Sequence, residues 1–437
     1  MALSFTAWAE GHVTSTTHEL TVLPRRAGSK AEPVAANLIA SLVHPDRKAS
    51  VHGVQFSPDG QRLFASGYPS GVLQIWDWAA KNEVRRIETP PGYRGSSEYA
   101  LITPDWKTLY VPTEKRTVKP IERDGKRLHQ IEYAGAIRIW DLATGQEQEP
   151  LPPAEGTAPV YAELGSGGRL LICIERPSYE AGPRVLVKDT TVVWDLVSRK
   201  KWKLCDGFGV PEFAPDGKTV GVNITDYEAK KSVVKLLEVA TGKELASIDC
   251  PEKDRFFSLD AYSPDGSLVA VSLGGKLGAP REVWLLDGKT LADRGRFSGD
   301  GEPKRYGWGS GKFSPNGRRY VILDGAGKAQ VWDTATAKIV GTLDIGANAW
   351  KLAISPDSAT LAVGWAPKGD ADLDAAREPD PLDLPQPRVT LLDLAGMRPP
   401  RVLIAPHGYV GGLAFSPDGK TLAFGSSGAV NLFDLTR

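Results

Sequence analysis

The side chains best suited to chemistry are few and scattered along the chain. The histidines are His12, His18, His44, His52, His129 and His407. None stands at a metal-ligand spacing from a cysteine or another histidine. His44 and His52 come closest together, and read as polar loop residues. Gly274-Gly275-Lys276-Leu277-Gly278 has the glycines of a phosphate loop. It lacks the Gly-Lys-Ser/Thr ending and opens no helix, so it reads as a flexible turn. The Asp-Gly pairs sit in tight corners without calcium-ligand spacing. No Cys-x-x-Cys-His and no Gly-x-Ser-x-Gly elbow is present. Cys173, Cys205 and Cys250 are too few, and odd in number, for a disulfide framework, so three free thiols are expected. The sequence therefore predicts no catalytic residue, no metal site and no cofactor.

What these residues sit on is a repeat. Phe56-Ser57-Pro58-Asp59-Gly60 makes a corner in which proline presets φ and Asp-Gly supplies a side-chain bond and the freedom at positive φ. A strand follows, then a loop, then a strand closing on Trp76-Asp77. The corner recurs near residues 103, 165, 214, 263, 314, 355 and 416. The second strand recurs with an acid at Asp141, Asp195, Glu238, Asp287, Asp333, Asp393 and Asp434. Eight corners pair with eight acid-terminated strands. Units at this period cannot bury their own faces and must stack on their neighbours. The last unit stops after its third strand. Residues 37–43, by contrast, read as a fourth strand with no unit of their own, like Glu244–Ile248. A sheet left open would expose unpaired backbone. The pattern thus predicts an all-β fold: an eight-bladed β-propeller of four-stranded antiparallel blades, the last blade closed by the N-terminal strand, with seven blades as the alternative. Residues 1–36 form an N-terminal extension and residues 37–437 the propeller.

Composition narrows the function classes. The 53 basic and 53 acidic residues cancel, leaving no global footprint for nucleic acid or an anionic membrane. No apolar run approaches the roughly 18 residues of a membrane span. Met1–Ala9 lacks a basic n-region. A cytoplasmic monomer is the expectation.

The residues also resemble a known family. Ile75-Trp76-Asp77-Trp78, Ile139–Gly145, Val193–Leu196 and Val331–Thr334, each after a Pro-Asp/Asn-Gly-type corner, are similar to the WD40 repeat over roughly residues 37–437. The resemblance implies a non-enzymatic interaction module binding a protein or peptide partner. A propeller hydrolase or small-ligand binder acting at the channel mouth is the alternative. Family blades commonly bond the motif tryptophan through a Gly-His before the first strand and an aspartate in the turn between the second and third. Here only His44 and His407 lie near the first place and Ser70 stands in the second, so most blades are expected to rely on packing, with Trp76, Trp140, Trp194 and Trp332 between blades.

With strands lettered a to d in each blade, the a–b and c–d turns are short, and the long insertions are b–c connections. All of these reach one rim, where variable loops on a rigid scaffold place binding sites. Two stand out as loops of opposite charge. One, near 114–129, carries Lys115, Arg116, Lys119, Arg123 and Lys126; the other, near 367–388, carries Asp370, Asp372 and Asp374. Replacing either by a short turn is expected to leave thermal stability nearly unchanged. Trp308, Trp350, Trp365 and Tyr409 fall where strands a and b meet the same rim. They are the aromatic candidates for partner binding.

Overall fold

The computed structural model describes residues 38–436 apart from 47–48, 69, 91–92, 96–99, 124–125, 166, 182–187, 208, 227–228, 254, 275–281, 299–310, 324–327, 346–348, 366–387, 396–399 and 405–409. All regular structure among these residues is β-strand. Eight antiparallel sheets form a ring, each ordered a-b-c-d, and the a strands of most successive blades touch one another. Strand a therefore lines the central channel and strand d the outside.

The corners repeat one piece of chemistry. In blade one, the Ser57 hydroxyl donates to Asp59 Oδ1 (2.5 Å) and accepts from the Arg62 amide (2.8 Å), while Asp59 Oδ1 accepts from Gln61 N. Thr103/Asp105, Ser263/Asp265, Ser314/Asn316, Ser355/Asp357 and Ser416/Asp418 do the same. Blades three and four put Gly165 and Ala214 in the serine's place and lack that hydroxyl.

Strands b and c have neighbouring blades on both faces, which makes them nearly continuous apolar runs. Arg62–Tyr68 and Val72–Asp77 are buried along their middles, whereas the outer strand Asn82–Glu88 alternates. The buried side chains gather into eight clusters, one in each gap between adjacent blades. Trp76 fills the gap between blades eight and one, Trp140 that between one and two, and Trp194 that between two and three. Trp332 stacks on Phe297 of blade five, with ring centroids 3.6 Å apart.

The ring closes as the repeat requires. Strand Leu38–Val43 pairs antiparallel with Ala429–Asp434, in register Leu38↔Phe433, Ser41↔Asn431 and Val43↔Ala429. Its Ala40 and Leu42 enter the cluster that joins blades eight and one.

One reading from sequence needs correction. Residues 114–129 are not an irregular b–c loop. Strands Thr108–Arg123 and Lys126–Asp141 run on as a single hairpin, paired from Thr108↔Asp141 to Arg123↔Lys126. The high charge suggested a loop, but the segment keeps β-branched and aromatic residues at Thr117, Val118, Ile121, Ile131 and Tyr133, which suit a strand. The b–c connection of blade three also holds a strand, Tyr179–Ala181, which pairs with Ile131–His129 of the hairpin.

Candidate functional site

The long hairpin forms an arm on the b–c rim. It is held to blade three at several points. Tyr133 stacks on Tyr179 (6.4 Å between centroids), the Tyr133 amide donates to Ser178 Oγ (2.8 Å), and Arg123 reaches Glu180 at 2.9 Å. Ile131 is buried against this junction. Strand alternation puts Lys115, Lys119, Arg123 and Lys126 at register positions on one face of the arm and Arg116 on the other. Lys119 is paired with Glu132 and Arg123 with Glu180, which offsets part of the stripe; Lys115 and Arg116 are exposed. The basic candidates thus share an ordered, two-stranded platform.

The other sequence candidates are less visible. Asp370, Asp372, Asp374, Trp308 and Tyr409 lie outside the described residues. Trp365 ends strand Thr360–Trp365 opposite Ala349, and Trp350 falls in the register shift between Ala349 and Lys351. Phe257, six residues before its corner as Trp308 is before its own, is fully buried against Trp284 (5.2 Å). At that position packing explains the aromatic.

A second site emerges in the channel, near the opposite rim. Counting back from each corner, strand a places Glu163 in blade three, Glu212 in blade four and Lys312 in blade six two residues before the turn; Asp260 in blade five is one residue earlier and Lys351 in blade seven is nearby. The Glu163 carboxylate reaches across to blade four, where its Oε1 accepts from the Phe213 amide (3.2 Å). Burial pushes Glu163 up to about 7. Burial, then the neighbouring Glu163, pushes Glu212 well above the usual carboxylate range, and Lys312 pulls the other way. Lys312 is exposed to the channel, yet the protein packed around it, and then Lys351, lower it. Asp260 accepts from Ser272 Oγ and from Tyr320 Oη (2.8 Å). Beside Lys312 opens a cavity of about 480 Å³, whose rim is formed by the corner prolines Pro315, Pro356 and Pro417. These ionisable residues carry no spacing signal, because each comes from a different blade. Alignment of the corners would have revealed them.

The comparisons with known proteins match this geometry. The WD40 family profile ("WD domain, G-beta repeat") matches residues 37–77 and 398–434, the two ends that meet at the closing blade. The chain is an eight-bladed β-propeller with WD40 repeats at its two ends. The crystal structure of the C-terminal WD40 domain of Sif2 aligns with a TM-score of 0.59 at 12% identity, over 92% of this chain and 98% of that one. No curated protein matches the sequence.

This propeller departs from the WD40 pattern where the sequence suggested. His44 is buried, and its Nδ1 is engaged by Asp46 (2.9 and 3.1 Å), but its Nε2 has no hydrogen-bond partner among the described residues. The Trp76 and Trp332 indole N–H groups are likewise buried and unpartnered. Ser70 bonds locally, to Gly67 O, and does not substitute for the missing aspartate. Stacking on Phe297 and apolar packing hold these rings instead. No helix is long and apolar enough to cross a membrane, and no cluster of three potential metal ligands occurs among the described residues.

Proposed function

We propose that this WD40 propeller is a non-enzymatic interaction module that docks an acidic protein or peptide segment against the arm on its b–c rim. The fold is one typically used to bind protein partners. The observation that carries the finer reading is the arm itself. Its sixteen-residue strands are far longer than the six to eight residues of most other blade strands, and none of that extra length is needed to complete a blade. Clamping to blade three through Tyr179 and Glu180 fixes it in advance, so binding would not bear the cost of ordering it. The exposed cations Lys115 and Arg116 would steer an acidic partner and set its orientation more than they add raw affinity.

The test is quantitative co-purification and association kinetics with native partners, comparing wild type with Lys115→Glu/Arg116→Glu. The double variant should associate at least several-fold more slowly at low salt, with the difference shrinking as salt rises. Equal association rates at low salt would remove the arm from consideration.

A further inference from the structure

The channel mouth on the a–b rim, opposite the arm, has its own built features. The cavity of about 480 Å³ lies in the size range of small-molecule sites. Its wall is mostly apolar: Phe56, Phe313, Ile354 and Phe415 come from four consecutive blades, six to eight and one. Two polar side chains interrupt that wall, Gln55 and Lys312. Lys312 has no hydrogen bond or ion pair among the described residues and is exposed to the lumen. Its charge is therefore open to a partner carried by a ligand, beside apolar surface that the same ligand can cover.

We propose that this cavity binds an organic carboxylate with an apolar body, its carboxylate against the Lys312 ammonium and its body against the Phe56, Phe313, Ile354 and Phe415 wall. Charge complementarity selects the anion. Lys351 adds a second positive charge from the next blade. On the far wall, Glu212 is held toward its neutral form by burial and by Glu163, so it repels an incoming carboxylate little, and as a carboxylic acid it is a hydrogen-bond donor. The apolar wall then selects among anions, since chloride or phosphate would leave the aromatic and aliphatic surface uncovered. The same chemistry could be presented by a free small acid or by the C-terminus of a peptide ending in an apolar residue.

Calorimetric titration of the full chain with 3-phenylpropionate and with 3-phenylpropionamide tests the claim. The acid should bind at least tenfold more tightly than the amide, and Lys312→Met should erase that preference while the thermal unfolding profile stays cooperative. Lys312→Gln serves if the methionine variant fails to fold. No binding of the acid, equal binding of acid and amide, or a preference that survives both Lys312 variants would overturn the proposal. A tetrapeptide ending in phenylalanine, as free acid and as amide, separates the sources. Tighter binding than 3-phenylpropionate assigns the site to a chain terminus, and weaker binding assigns it to a small acid. Lys115→Glu/Arg116→Glu should leave all of these titrations unchanged, so this site and the arm stand or fall separately.

Discussion

The Ser41 hydroxyl donates to Asn431 Oδ1 at 2.8 Å, across 390 residues of chain. Asn431 in turn donates from Nδ2 to Ser426 Oγ (2.9 Å), so the closing strand is tied through Ala429–Asp434 to Thr421–Ser426, the next strand in the sheet. The strand buries Ala40 and Leu42 and leaves Leu38, Ile39 and Val43 partly exposed. Deleting residues 1–43 should therefore cost roughly 3 kcal/mol or more relative to deleting 1–36, from Leu42 burial at about 1.5–3 kcal/mol plus several ladder hydrogen bonds at about 1 kcal/mol each. Chemical denaturation of the two truncations measures the difference, and superimposable curves would contradict closure by this strand.

The arm changes what loop removal should do. Had residues 114–129 formed a solvated loop, replacing them would have been nearly neutral. Ile131 is only 3% exposed, however, and Tyr133 stacks on blade three. Excising 119–130 should cost less than about 1 kcal/mol, because the Arg123–Glu180 pair it removes is exposed. Excising 117–132 should cost about 2 kcal/mol or more, because Ile131 goes with it. Equal stability of the two deletions would show that the arm is not anchored through Ile131.

The c–d turns carry measurable backbone strain. The fourth residue after the closing acid has positive φ in several blades. Gly145 and Gly242 take it without strain, but Lys81 (φ 56°) and Leu291 (φ 57°) occupy the same place. Lys81 is exposed, so Lys81→Gly should stabilise by about 0.5–1 kcal/mol. Leu291 is buried, and the same change there should destabilise, since losing about 1.5–3 kcal/mol of burial outweighs the relief. Urea midpoints of the two variants moving in the same direction would contradict this ranking.

The cysteines offer a simple probe of the packed gaps. Cys173 lies fully buried between blades two and three, with its thiol pushed well up by burial; Cys205 and Cys250 are part-buried and also raised. Only thiolate reacts readily. Native protein at neutral pH should thus label slowly at Cys205 and Cys250 and at Cys173 only on unfolding, with three equivalents titrating in denaturant. Rapid native labelling of Cys173 would contradict the packing.

What could be read from sequence follows from where the signal is local. The corner Ser57–Gly60 and the acid at Asp77 are short-range chemistry, so blade number, strand order and the closing strand were all legible. The arm was not, because Lys115, Lys119 and Arg123 suggested solvent while the strand pattern beneath them was carried by Thr117, Val118 and Ile121. The channel cluster was not either. Glu163, Glu212 and Lys312 are separated by 49 and 100 positions in the sequence, and only the stacking of the blades brings their strands to one lumen.

That cluster makes the stability of the fold depend on pH in an unusual direction. Glu163 is pushed up to about 7 by burial, against an ordinary value of 4.5, and Glu212 moves the same way. Between those limits the folded chain holds protons that the unfolded chain has released. The unfolding free energy changes with pH in proportion to protons bound unfolded minus protons bound folded, which is negative here. Stability should therefore fall as pH rises from about 4.5 to about 7, with the share of Glu163 fully lost above that range and Glu212 acting in the same direction. The carboxylates depressed by turn hydrogen bonds and arginine partners act elsewhere. Asp195 is held at about 2 and Asp287 is likewise held down, so their contribution is lost only as pH drops below about 4. Melting temperatures of wild type should decline from pH 5 to pH 8. Glu163→Gln keeps an oxygen to accept from the Phe213 amide yet cannot ionise, so it should flatten much of that decline and should melt above wild type at pH 8. Parallel curves for the two proteins would show that Glu163 ionises in the folded channel as freely as in the unfolded chain.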